Sequence, residues 1–120
     1  MNKPLPVPEP DAQNPLPIVL AKDGVVVLSY KAFVAHTDVH IIVSFRAAYA
    51  HRFGPPERDK RGVFEVKDSA WIRDSFSGKG KHFVFTFPDA VFECAADDYA
   101  SETVDEDDDA VRLMSRRLYK

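Results

Sequence analysis

The chain has 120 residues, 45% of them hydrophobic and 29% charged, with a formal net charge of -3. That is the size of one domain able to bury a core without metal or disulfides, and the single cysteine, Cys94, excludes an internal disulfide framework. No apolar stretch reaches the roughly 18 residues of a membrane helix, and prolines stand where a signal peptide would carry its apolar region, so the expected location is the reducing cytoplasm.

Six of the nine prolines (Pro4, Pro6, Pro8, Pro10, Pro15 and Pro17) fall in the first 17 residues. Each lacks a backbone donor and pushes its predecessor toward extended geometry. Residues 1–17 are therefore expected to be an extended or disordered arm, of which residues 2–13 are expected to be dispensable for stability, ahead of a single α+β domain over 18–120. No two of these prolines are three apart, so the arm lacks the spacing of an SH3-type ligand.

After Gly24, the mixture Val25 to Leu28 and Ala32 to Ala35 favours a strand. Thr37 and Asp38 offer a turn, predicting a hairpin around His36 to Val39. Residues 40–50 then alternate, with Ile41, Val43, Phe45, Ala47 and Tyr49 on one side, as a half-buried strand does. Gly54, Pro55, Pro56 and the charged run Glu57 to Arg61 read as an exposed loop. Val63 to Val66 follow as a third strand. Asp68 or Ser69 is placed to cap a short helix that turns Trp71, Ile72, Phe76 and Ala70 to the core and ends at Gly78 and Gly80.

The segment 82–96 is the most informative. With Pro88 and Asp89 at the centre of a turn, Phe87 lies opposite Ala90, Phe85 opposite Phe92 and Phe83 opposite Cys94, which makes one face wholly apolar. The other face carries His82, Val84 and Thr86 against Ala95, Glu93 and Val91. Residues 97–109 then hold eight acids and no base, whereas 110–120 hold Arg112, Arg116, Arg117 and Lys120. This polarity complements the dipole of a helix, with Val111, Met114 and Leu118 on one face. The expected fold is α+β: an antiparallel sheet of about five strands, a short helix after strand 3 and a C-terminal amphipathic helix.

Chemistry is harder to read. His36, Asp38 and His40 alternate as ligands on one side of a strand would, with His82 or His51 able to join through space. The spacing lacks a third or fourth adjacent ligand, and an exposed pair at a hairpin tip is the ordinary alternative. Cys94 falls on the apolar face, where a thiol is a small hydrophobe, not a nucleophile. His82 and Glu93 share the mixed face and can pair as acid and base, or as a surface ion pair. Gly78-Lys79-Gly80 lacks the spacing of a phosphate loop, and no serine elbow is present. No catalytic set, cofactor or metal is assigned.

Charge is segregated. Residues 46–81 carry nine bases and five acids, and 97–120 carry eight acids and four bases. The basic middle is weak beside a nucleic-acid footprint, so nucleic acid is disfavoured, as is a membrane. Asp105, Glu106, Asp107, Asp108 and Asp109 exceed what one helix start requires, and point to a basic surface on a partner or on the chain's own loop at Arg58, Lys60 and Arg61. The expected function is a small acidic cytoplasmic interaction or regulatory protein: an adaptor, inhibitor or neutraliser of a basic partner. The alternative is a small-ligand or metal-dependent enzyme using His36, His40 and His82.

Overall fold

A computed structural model describes residues 2–56 and 61–119, and within them the chain runs β1 (Asn2–Pro4), β2 (Ile18–Lys22), β3 (Val25–Val34), β4 (Thr37–Gly54), β5 (Val63–Val66), α1 (Ala70–Phe76), β6 (Lys81–Thr86), β7 (Val91–Asp105) and α2 (Ala110–Leu118). All the strands join one antiparallel sheet in the order β1-β5-β6-β7-β4-β3-β2. The expectation of five strands with a helix after the third is therefore corrected to seven strands, with α1 after the fifth. The two additions are β1 and β2. Proline is tolerated on an edge strand, and β1 is an edge. Asp23 and Gly24, with φ of 49° and 79°, form the tight turn of a β2–β3 hairpin, an Asp-Gly pair suited to positive φ at both positions.

The β6–β7 register is the one expected from the sequence: Phe85 pairs with Phe92, Phe83 with Cys94 and Val84 with Glu93. Their joining turn is a four-residue loop closed by the Phe87 N–H donating to the Ala90 carbonyl at 2.8 Å. The β3–β4 turn differs. It is made by Ala35 and His36, at φ of 50° and 63°, so Thr37 already pairs with Val34. Alanine does not favour this conformation, although histidine is one of the non-glycine residues enriched in it, so the local signal is weak beside that of Asn-Gly or Asp-Gly.

The sheet folds over its own apolar face. Tyr30 on β3 and Phe85 on β6 are separated by β4 and β7, which in a flat sheet would hold them about 14 Å apart. Their ring centroids are 5.9 Å apart, and Tyr30 lies 5.8 Å from Phe87. The fold-over occurs within the two long strands. In β4, Ala47 takes φ of 50° and the register shifts between Ala48 and Ala50. In β7 the core-facing residues change from Phe92, Cys94 and Ala96 to Tyr99, a switch of parity that marks the same bend. An inserted residue of this kind kinks a strand and raises its twist. The result is an enclosed core in which Phe45 meets Phe83, Phe85 and Phe92 at 5.7, 5.8 and 5.9 Å.

Residues 5–17 connect the two sheet edges and are extended but not detached. The Leu5 N–H donates to the Val63 carbonyl, the Asp11 N–H to Lys31, and the Lys31 N–H to Pro15. Val7 is buried in the inner core, and the Tyr30 hydroxyl donates to the Pro8 carbonyl at 2.6 Å. Burial, with the Glu9 charge second, raises the Tyr30 phenol well above its usual range. Removing the arm strips an edge strand and part of the core, contrary to the expectation that it is dispensable.

Helix α2 covers the outer face of β2, β3 and β4. Met114 is fully buried against Val27 and Ile42, rimmed by Leu20, Leu113 and Leu118. Val111, expected on this face, is exposed instead, and Ala110 takes an inward position. The start is capped by Asp109, whose carboxylate accepts from the Arg112 N–H.

Removing Phe85 tests the enclosed core. Phe85→Ala is expected to destabilise by about 3 to 5 kcal/mol, as a buried aromatic does. Thr86→Ala removes hydrogen bonds between its hydroxyl and both backbone groups of Gly62 and is expected to cost about 1 kcal/mol. Equal losses in chemical denaturation would contradict the inward placement of Phe85.

Candidate functional site

The register of the central strands gathers the acids. Val39 pairs with Asp105, so β7 ends beside the start of β4, and Asp38 and Asp105 to Asp109 are all exposed at that end. The acidic segment is not wholly a prelude to the helix, as expected: residues 97–105 belong to β7. Asp97 accepts from the Tyr49 hydroxyl at 2.7 Å, and Glu102 accepts from Arg117 Nε and Nη2 at 2.6 and 2.8 Å. At the acidic end, Lys31 Nζ is 3.9 Å from Glu106 Oε1, and His40 Nε2 is 3.1 Å from the Glu106 carbonyl. Of the basic loop proposed as an internal counterpart, Arg58 and Lys60 lie outside the described residues. Arg61 stands next to Gly62, which bonds to Thr86, at the opposite end of the β4–β7 pair, where Gly54 faces Val91.

The histidines do not converge. His36 sits in the turn, His40 pairs with Val104, and His82 pairs with Ala95, nine positions away along β7. His51 stacks near Phe92 at 6.1 Å. Among the described residues no group of three metal-binding side chains is assembled. Cys94 is fully buried, and burial pushes its thiol up to about 12, so it offers no thiolate at neutral pH.

A second group of polar residues lies under α1. Ser69 caps the helix, its Oγ accepting the Ile72 N–H at 3.3 Å, and the same oxygen is 2.8 Å from His82 Nδ1. His82 Nε2 is 2.8 Å from Glu93 Oε1, and Arg52 Nε donates to Glu93 Oε2 at 2.8 Å. The Arg52 guanidinium stacks 4.1 Å over the Trp71 ring, which meets His82 edge-on at 5.0 Å. Ser69, His82 and Glu93 are buried. Thus His82 and Glu93, placed on one face by the alternation of β6 and β7, are hydrogen-bonded to each other in the interior and not as the surface ion pair that is the ordinary expectation. Ser69 was legible as a cap. Arg52 was not legible as a member, because it reaches Glu93 only through the β4–β7 register.

Burial raises the Glu93 pKa, but the Arg52 and His82 hydrogen bonds and charges outweigh it, so the carboxyl sits below its ordinary value. Since Ser69 Oγ accepts from Ile72, its own hydrogen can be donated to His82 Nδ1. In the neutral form of the imidazole this leaves its proton on Nε2, facing the carboxylate, and in the charged form both ring nitrogens donate. A cavity of about 230 Å³ opens on this group, lined by Ser69, Ile72, Arg73, Gly80, Lys81 and His82 among others. Comparison with protein-family models, with curated proteins and with solved structures returns no match.

The Glu93 interactions carry a pH signature. Because the folded-state pKa is lowered, their stabilisation is present above the ordinary carboxylate range and is lost as pH falls through the folded value. Glu93→Gln is expected to lower stability by about 2 kcal/mol at neutral pH. The gap from wild type should close below about pH 4. A gap of equal size at neutral and acid pH in urea denaturation would contradict a charged Glu93.

Proposed function

We propose that the protein is a cytoplasmic interaction or regulatory module that meets the basic surface of a partner protein through Asp105, Glu106, Asp107, Asp108 and Asp109. The observation that supports this reading is their exposure, together with Asp38, at one end of the β4–β7 pair. Like charges held together repel one another, and a complementary partner relieves that repulsion while steering encounter. Asp109 is partly engaged as the α2 cap, and Glu106 has Lys31 nearby, so Asp105, Asp107 and Asp108 are the residues most available to a partner. The alternative, an enzyme using His36, His40 and His82 together, draws no support from their separation along β4, β6 and β7.

The test begins with recovery of the partner from the native source and continues with association kinetics at several salt concentrations. Replacing Asp105 and Asp108 with Asn and Asp107 with Ser should slow association several-fold and flatten its salt dependence, while the unfolding midpoint stays unchanged. Equal rates for wild type and variant, with no effect of salt, would leave the cluster as a solubilising cap.

A further inference from the structure

The buried polar group under α1 has the connectivity of a nucleophile, a base and an orienting carboxylate. Ser69 Oγ faces His82 Nδ1 at 2.8 Å, and Glu93 holds the other ring nitrogen at 2.8 Å. Arg52 and Trp71 back this pair, so the imidazole has one orientation. The ring is used in the opposite sense from the serine-protease arrangement, where Nε2 faces the hydroxyl. The chemistry requires only that one ring nitrogen takes the proton while a carboxylate holds the other. Ser69 and His82 both line the cavity of about 230 Å³.

The geometry points to an acyl-transfer site in which Ser69 is the nucleophile, His82 the general base and Glu93 a positioning residue, acting on short-chain carboxylic esters. Its cavity is smaller than the roughly 300 Å³ at which drug-sized pockets begin, which limits the acyl group to a small one. In the first step Ser69 Oγ bonds to the ester carbonyl carbon as its proton passes to His82 Nδ1. The tetrahedral species then expels the alkoxide, which takes that proton and leaves as an alcohol. Water repeats the sequence: it gives a proton to His82, attacks the acyl-serine carbonyl and releases the carboxylic acid, and the proton returns to Ser69. No redox partner or metal is needed for the balance. Arg73 and Lys81 border the same cavity, together with Lys67, Glu65 and Asp68, so its rim carries both signs of charge.

Intact wild-type protein tests this directly. A fluorophosphonate probe should form a covalent adduct that peptide mapping places on Ser69. The labelling rate should rise with pH through a single ionisation. The same protein should hydrolyse p-nitrophenyl acetate, and prior labelling should abolish that hydrolysis. His82→Gln, which retains hydrogen-bonding groups, is expected to slow labelling by about 100-fold or more if His82 is the base. Glu93→Gln should shift the pH profile, which a purely architectural role would not do. Because Ser69→Ala also removes a helix cap, the decisive result comes from the wild type. Absence of an adduct on folded wild-type protein, or an adduct on another residue, would overturn the proposal and leave Ser69 as a cap alone. This outcome is independent of partner binding at the acidic end.

Discussion

The bend in β4 and β7 is the constraint on which the rest of the structure depends. The inner sheet face carries Tyr30, Phe45, Phe83, Phe85 and Phe92, all fully buried, yet the two helices have only seven and nine residues and lie elsewhere. The sheet therefore supplies its own second layer by folding across its central strands. The left-handed backbone at Ala47 costs about 1 to 2 kcal/mol, well below the summed gain from burying several of those aromatic rings at about 1.5 to 3 kcal/mol each. The arm then bridges the two edges, and its Val7 completes the core.

The same bend organises the outer surface. Tyr49, displaced at the register shift, packs against Phe76 of α1 at 5.6 Å and donates its hydroxyl to Asp97. A Cβ at Gly80 would stand 2.7 Å from the Tyr49 ring, and φ of 87° there also favours glycine, so this close approach follows from the bend as well. Beyond it, Arg52 on β4, Glu93 on β7 and His82 on β6 meet Ser69 at the start of α1. A buried polar group stabilises only when its members satisfy one another, and this one ties three strands to a helix. The central strands thus carry the polar network in one stretch and the acidic surface at their far end.

What could be read from the sequence was what rests on agreement between neighbouring signals. The Phe83, Phe85, Phe92 and Cys94 alternation and the Pro88-Asp89 turn imply one register, and through it the His82–Glu93 pairing. Proline density concealed β1, because a pattern that excludes an interior strand does not exclude an edge. Asp23-Gly24 reads as the start of a strand when Ile18 to Lys22 are given no element of their own, although it is the turn between two strands. The Ala35-His36 turn and the Ala47 bulge place ordinary residues at positive φ, where only tertiary packing repays the strain. Arg52 and Trp71 join the network through long-range pairing that no local pattern encodes.

The fold-over of the sheet is tested most directly by nuclear Overhauser effects between assigned aromatic rings. Tyr30 on β3 should show cross-peaks to Phe85 on β6 and to Phe87, whose ring centroids lie 5.9 and 5.8 Å away. An open sheet with the same strand order would separate the Tyr30 and Phe85 strands by about 14 Å and give no such cross-peaks. Their absence, in a spectrum that retains the β3–β4, β4–β7 and β6–β7 backbone contacts, would contradict the bend and the enclosed core built on it.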